Sequence, residues 1–273
     1  MLVVVHLSDV HFGAHVEGLA NSLRADISGH RPDLVVVSGD LTQRGRRREF
    51  ADARAFLDDL PGPVLAVPGN HDLPLFDLSR RVLSPTKRYE RFIAPDLNPV
   101  VSLPDLVAVG LDTMPAWRWK AGRISPWQAD LVRTALGEAP AGAWRLLVTH
   151  HPLLPAERSG LVGRRLLADA CAHARASVLL AGHTHTASAT VVTLDSQEHP
   201  WRSLAVTAGT AMSRRTRGTP NAYAVVRLSG PMREGETLSV DIRELHGTGW
   251  STTRSMPFGY GAGGVFSRAC DGA

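Results

Sequence analysis

The sequence predicts an α/β fold with an added β layer, and three observations carry that expectation. Short β-branched runs alternate with amphipathic stretches of helical length up to about Ala181. Asp, His and Asn residues fall directly after those runs. Beyond Ser188 the helical stretches stop, and strand-like runs follow one another across turns alone. Alternating strands and helices are the pattern of βαβ units around a sheet buried on both faces, and consecutive short strands add an antiparallel layer.

The elements follow in order. Leu2–Leu7 is apolar and β-branched and reads as the opening strand, where a secretory leader would need a basic start and a longer apolar stretch. Asp33–Ser38, Val64–Val67, Leu106–Leu111, Arg145–Thr149 and Ser177–Ala181 have the same character. Between them, Val16–Gly29, Arg46–Leu60, Pro126–Leu136 and Gly160–Ala174 place apolar residues near a 3.6 period. Ser125 before Pro126 has the form of an N-cap followed by proline in the first turn. Thr190–Leu194, Leu204–Thr207, Ala222–Leu228 and Leu238–Glu244 supply the antiparallel layer. From Gly247 onward the chain is rich in Gly, Ser and Thr without periodicity. The expected organisation is therefore one domain over 1–246 and a mobile or loosely packed tail over 247–273, anchored by Trp250, Phe258 and Tyr260.

Composition narrows the function classes. The 273 residues are 44% hydrophobic and 21% charged, which excludes a disordered or fibrous chain. A net charge of +4, nearly all of it from arginine, does not by itself argue for nucleic acid. Cys171 and Cys270 are too few for a disulfide framework or a thiolate metal site. With no membrane-length apolar run, a cytoplasmic protein with free thiols is expected.

The chemistry sits where the strands end. The predicted strands run out into Ser8-Asp9-Val10-His11, Gly39-Asp40, Gly69-Asn70-His71-Asp72, His150-His151-Pro152 and Gly182-His183-Thr184-His185. Open α/β sheets bind ligands beyond the carboxyl ends of their strands. Each piece alone has an ordinary explanation. Gly-Asp is a common turn and helix cap, and Gly-Asn-His-Asp suits left-handed turn geometry. Their conjunction at successive strand ends favours a polynuclear metal site. Carboxylate, imidazole and amide oxygen without thiolate suit Mn, Fe, Zn or Co as divalent ions. A pair of ions about 3.5–4 Å apart needs a bridging carboxylate, for which Asp40 is the natural choice.

The ordered set Asp9-X-His11, Gly39-Asp40 with Gly45, Gly69-Asn70-His71-Asp72, His150 and Gly182-His183-X-His185 resembles the calcineurin-like metallophosphoesterase superfamily. The resemblance implies a four-layer α-β-β-α sandwich of two mixed sheets flanked by helices, with a dinuclear metal site. It implies that Asp9, His11 and His185 hold one metal and Asn70, His150 and His183 the other, with Asp40 bridging and His150 preferred over His151. His71 would be the general acid near the leaving-group oxygen. The protein phosphatase branch continues its Gly-Asp motif with an Asp-Arg pair that orients this histidine. Here Gln43 stands at that carboxylate's place, so a His–Asp dyad of that design is not expected. Gly39-Asp40-Leu41-Thr42 and Gly122–Gln128 instead resemble the bacterial branch that includes the class III cyclic nucleotide phosphodiesterases.

The implied activity is hydrolysis of a small phosphodiester, of cyclic nucleotide or glycerophosphodiester type, by a hydroxide held between two divalent metal ions. A phosphomonoesterase or nuclease of the same superfamily is the alternative, and a non-catalytic scaffold would show gaps in the ligand set that this sequence lacks. Arg44, just past Asp40, is the candidate substrate contact. Arg46-Arg47-Arg48 and the run Arg214-Arg215-X-Arg217 are basic clusters able to steer an anion. Of Trp117, Trp119 and Trp127, at least two are expected in core or cap packing. The expected partner is a small phosphoester; nucleic acid is disfavoured, no membrane is expected, and a homodimer is left open.

Overall fold

Residues 1–75, 77–115, 121–154, 160–196 and 200–267 are described by the computed structural model. The strand β1 spans Leu2–Leu7, as its β-branched sequence demands, and is followed by α1 (Leu19–His30), β2 (Leu34–Val37), α2 (Arg47–Asp58) and β3 (Val64–Ala66). Two short helices, α3 (Leu78–Leu83) and α4 (Lys87–Phe92), lead into β4 (Val100–Leu103) and β5 (Leu106–Leu111). Then come α5 (Pro126–Gly137), β6 (Trp144–Thr149), α6 (Arg164–His173) and β7 (Val178–Ala181). The antiparallel part comprises β8 (Ser188–Leu194), β9 (Trp201–Thr207), β10 (Ala222–Leu228), β11 (Thr237–His246), β12 (Gly249–Gly261) and β13 (Gly264–Ser267).

One half of the β structure runs β3-β2-β1-β10-β11-β12, and the other runs β4-β5-β6-β7-β9 with β8 on β9. The strand β13 joins them. It pairs with β12 over four positions but touches β9 at a single one, Gly264 opposite Arg202. The period-2 alternation of the strands assigns each side chain to a layer. Val4, Leu34, Val36, Leu65 and Val67 share an apolar cluster with Val107, Val109, Leu147, Ala224 and Val226. Their neighbours Val3, Val5, Leu7, Val35, Val37 and Ala66 cluster instead with Leu23 and Ile27 of α1 and Phe50 and Ala53 of α2. On the far side, Ala129 and Val132 of α5 and Leu167 and Cys171 of α6 complete the first cluster. This is the expected four-layer α-β-β-α sandwich. The predicted start of α5 is also present: the Gln128 side chain accepts from the Ser125 N–H at 2.9 Å, and Pro126 opens the helix.

The segment after Gly247 corrects the expectation of a loose tail. Gly249–Gly261 is a 13-residue strand that pairs antiparallel with β11 from Thr237 to His246, and β13 follows it. Gly247, at φ 60°, makes the turn. Most of β12 before Met256 is exposed on both faces, so no apolar alternation marks it, and main-chain bonds to β11 define it instead. The three aromatic anchors do pack. The Trp250 ring lies 5.3 Å from that of Tyr223, and Tyr260 lies 5.6 Å from Trp144, beside buried Phe258. The helices α3 and α4 and the strand β4 are too short to show a sequence period.

Trp117, Trp119 and Cys270 lie outside the described residues, while Trp127 is 56% exposed and Cys171 is buried in the core. No helix among the described residues is long and apolar enough to cross a membrane.

Candidate metal centre

The parallel pairings β1–β2–β3 in one half and β5–β6–β7 in the other send the carboxyl ends of these strands to one edge. Asp9, His11, Asp40, Asn70, His150 and His185 are all buried there, and His183 is partly buried. Getting their side chains to converge requires sharp reversals of the chain. Asp9, His11, Asp40, His183 and His185 all adopt left-handed backbone geometry, with φ between 53° and 68°. Such conformations cost roughly 1–3 kcal/mol each and persist only where surrounding contacts over-determine them. Here Asp9 N–H donates to Gly39 O at 3.1 Å, His11 N–H to Asp40 O at 2.9 Å, and His183 N–H to Asp9 Oδ2 at 3.1 Å. A Cβ at Gly69 would overlap Asp40, and one at Gly182 would overlap Ser8 Oγ, so both positions require glycine.

The donor atoms form two adjoining sets. In the first, His185 Nε2 lies 3.3 Å and His11 Nε2 3.6 Å from Asp9 Oδ1. In the second, Asn70 Oδ1 lies 3.1 Å from both His150 Nε2 and His183 Nδ1. Asp40 faces both sets, with Oδ2 3.6 Å from His11 Nε2 and Oδ1 3.5 Å from His150 Nε2. It is His150 that faces Asp40; His151 turns its Nδ1 to Thr113 Oγ1 at 2.7 Å.

Hydrogen bonds behind the imidazoles fix their tautomers. His11 Nδ1 donates to Thr42 O at 3.3 Å and His150 Nδ1 to Ser38 O at 2.8 Å, because a carbonyl can only accept. Thr210 Oγ1 donates to Arg215 O at 3.4 Å, so it accepts from His185 Nδ1 at 2.7 Å. Each Nε2 therefore presents a bare lone pair to a carboxylate or amide oxygen. Lone pairs aimed at lone pairs are repulsive unless a cation lies between them. Asp9 Oδ1 and His11 Nε2 are, moreover, buried without any hydrogen-bond partner. The residues fit divalent cations, and in His11, His150 and His185 the ring nitrogen turned away from the basin has the supporting acceptor that metal-binding histidines use.

Burial pushes His183 down to about 4 and lowers His185, which leaves both imidazoles neutral at neutral pH. Burial alone would raise Asp40, but His150, His11 and His71 around it outweigh that and hold its carboxyl below the usual range. Asp9 is likewise held low, its burial outweighed by the neighbouring His11, His185 and His150. Both groups are thus held as anionic carboxylates.

His71 points differently. Its Nδ1 donates to Gln43 O at 2.8 Å, and its ring meets that of His11 edge-on at 4.8 Å. The main-chain carbonyl of Gln43 thus does the orienting that the missing carboxylate would do. Burial lowers its pKa. Arg44 is exposed, with its main-chain N–H donating to Glu49 at 2.8 Å.

Sequence reasoning passed over several supports. Asp72 accepts from Leu41 N–H, Thr42 N–H, Thr42 Oγ1 and Gly69 N–H at 2.8–3.2 Å, tying the Asp40 loop to the Asn70 loop. Burial and the nearby Asp40 raise it to about 6. Ser8 Oγ donates to Asp9 Oδ2 at 2.7 Å. Thr210 follows the end of β9, and the strand-end rule extended to that strand would have flagged it.

Asp112, at the exit of β5, belongs to neither donor set. Burial pushes it up to about 7, although its Oδ1 accepts from Met114 N–H at 2.7 Å. A carboxyl raised on folding holds its proton more tightly in the folded state, so ionising it costs stability above its folded pKa and nothing below its unfolded one. Asp112→Asn is therefore expected to stabilise the protein by up to about 4 kcal/mol near pH 8, with the gain gone by about pH 4. Urea unfolding at the two pH values measures this, and a gain that does not depend on pH would refute the buried-carboxyl account.

Comparison with known proteins agrees with this geometry. A family model described as calcineurin-like phosphoesterase matches residues 2–187. The chain is 28% identical over 235 residues to a protein of a Synechococcus named as a probable cyclic nucleotide phosphodiesterase, covering 74% of this chain and 87% of that one. It is 39% identical over 82 residues to a glycerophosphodiester phosphodiesterase, GpdQ, of Enterobacter lignolyticus, over 26% of this chain and 30% of that one. Among solved structures, the purple acid phosphatase PPD1 of yellow lupin (Lupinus luteus) superposes with a TM-score of 0.67 at 11% identity. That match covers 96% of this chain but only 54% of the lupin chain, and it speaks to the fold alone. With the family model spanning most of the sequence over the same strand ends, the chain belongs to the calcineurin-like phosphoesterase family.

Proposed function

We propose that this protein is a metal-dependent phosphodiesterase acting on small molecules, of cyclic nucleotide or glycerophosphodiester class. The observation that carries the reading is the buried meeting of Asp9 Oδ1, His11 Nε2 and His185 Nε2 beside Asn70 Oδ1, His150 Nε2 and His183 Nδ1, with one Asp40 oxygen turned to each set. In this reading the first set would hold one divalent ion and the second another, with an oxygen of Asp40 available to each. Such ions supply charge neutralisation at the phosphoryl group and an attacking water of lowered pKa. The chain's own contribution is a rigid basin. His11, His150 and His185 are each fixed in one tautomer, by Thr42, Ser38 and Thr210, and no thiolate competes among the described residues. His71, held by Gln43 O, carries the proton to the departing oxygen. Support for a diester comes from the names of the two relatives and from the Gly39-Asp40-Leu41-Thr42 segment.

The test is steady-state hydrolysis of bis-p-nitrophenyl phosphate and p-nitrophenyl phosphate by protein reconstituted with Mn²⁺. The expected result is a higher kcat/KM for the diester. A preference for the monoester would move the protein to the phosphatases, and no hydrolysis of either by metal-loaded protein would remove the reading.

A further inference from the structure

The segment between β9 and β10 is pinned against the strand-end basin. Ala208 N–H donates to Ala181 O at 2.9 Å, Ala211 N–H to Ser8 O at 3.0 Å, and Arg214 N–H to Ala14 O at 3.0 Å. The buried Asn221 amide donates to Thr210 O at 3.1 Å and to Ser213 O at 2.9 Å. Within this frame the Arg215 main chain is held at both ends. Its N–H donates to Ser213 Oγ at 3.2 Å, and its carbonyl accepts from Thr210 Oγ1, the same hydroxyl that braces His185. Its exposed side chain reaches across so that Nη1 donates to His71 Nε2 at 3.3 Å. A pinned main chain carrying an exposed guanidinium at the rim of a candidate hydrolytic site is suited to hold an anion.

We infer that Arg215 is the contact for a non-bridging phosphoryl oxygen of the substrate, beside His71. The inference rests on the phosphoesterase reading and adds a substrate-binding residue to it. The reason lies in the partner that Arg215 has now. With His71 Nδ1 donating to Gln43 O, Nε2 is a neutral acceptor and takes one N–H of the guanidinium. A phosphoryl oxygen is an anionic acceptor, so its bond to the guanidinium adds an attraction of opposite charges that a neutral imidazole nitrogen cannot give. The planar guanidinium also matches two phosphoryl oxygens at once, which an imidazole nitrogen cannot offer. Arrival of the ester therefore draws Arg215 from His71 to the phosphoryl group. The same exchange frees Nε2 to take up a proton from solvent, which His71 can then deliver to the ester's bridging oxygen. Arg44, the contact expected from the sequence, is exposed on the loop after Asp40.

The experiment compares wild type with Arg215→Ala, Arg215→Lys and, as a distant control, Arg233→Ala, whose side chain pairs with Glu236. Three quantities are read on Mn²⁺-loaded protein: KM and kcat for bis-p-nitrophenyl phosphate, inhibition by inorganic phosphate, and bound metal. Arg215→Ala is expected to raise both KM and the phosphate inhibition constant by about 10- to 100-fold, as loss of a charged hydrogen bond does. Metal content should match wild type. Arg215→Lys should recover part of the loss, and guanidinium chloride at millimolar concentration should restore turnover to Arg215→Ala only. Unchanged KM and phosphate inhibition in Arg215→Ala would overturn the inference while leaving the phosphoesterase reading intact. Loss of metal in step with activity would also overturn it, since the turn would then serve only to brace His185. If wild-type protein neither hydrolyses the diester nor is inhibited by phosphate, the phosphoesterase reading fails and the inference fails with it.

Discussion

Asp40→Asn is expected to abolish phosphoester hydrolysis and to empty at least one metal position while the fold stays intact. Asparagine is the informative replacement. Asp40 sits at φ 55°, where Asn is better tolerated than Ala. An Asn oxygen can still accept from His71 N–H, which now donates to Asp40 Oδ1 at 2.8 Å. What the substitution removes is the charge and the second oxygen. Asp40 turns one oxygen to His11 and the other to His150, so losing Oδ2 uncouples the two donor sets, and losing the charge removes an anion that offsets a pair of divalent cations. The expected fall in kcat is on the order of 10³-fold or more, in line with removing a group that organises the charge stabilising the transition state. Metal per chain by elemental analysis, with Tm alongside, separates this from misfolding. An Asp40→Asn protein that keeps both its metal and its turnover would rule out Asp40 as the spanning carboxylate.

The sequence made the sandwich legible where physics acts locally. β-Branched runs define β1, β2 and β5 to β7, and period-3.6 stretches define α1, α2, α5 and α6, because burial on both faces leaves little freedom in composition. The strand-end residues that the structure gathers into one basin were legible for the same reason: they directly follow buried runs. Four things were not. The left-handed geometry at Asp9, His11, Asp40, His183 and His185 is only weakly marked in residue type, since Asp and His tolerate it without requiring it. The orienting acceptor for His71 is the main-chain carbonyl of Gln43, and every residue has a carbonyl. The hairpin β11–β12 is held by main-chain pairing along an exposed surface, so the Gly, Ser and Thr that looked like a loose tail carry no apolar signal. Arg215 stood out only as one of a basic run, because its approach to His71 depends on contacts between segments 144 residues apart.

His71→Ala is expected to slow hydrolysis without removing metal, and the size of the slowing should depend on the leaving group. Neither donor set uses a His71 nitrogen: Nδ1 is committed to Gln43 O, and Nε2 meets Arg215. Removing the ring therefore leaves Asp9, Asp40 and the other histidines in place, and elemental analysis should find wild-type metal content. A positioned general acid contributes about 10²–10⁴-fold, but only to the extent that the departing oxygen needs a proton. p-Nitrophenolate is stable as an anion and leaves almost unaided. An alkoxide does not, so an alkyl diester should suffer much the larger loss. The pH profile should change in a related way. Burial lowers the pKa of His71, with Asp40 opposing, so the protonated form is lost as pH rises through a value below the ordinary histidine range. Wild-type turnover of an alkyl diester should therefore carry a limb that falls with rising pH, and this limb should be missing from His71→Ala. Equal losses on aryl and alkyl diesters, with an unchanged pH profile, would mean that the ring merely fills space over His11, and the proton would have to come from elsewhere.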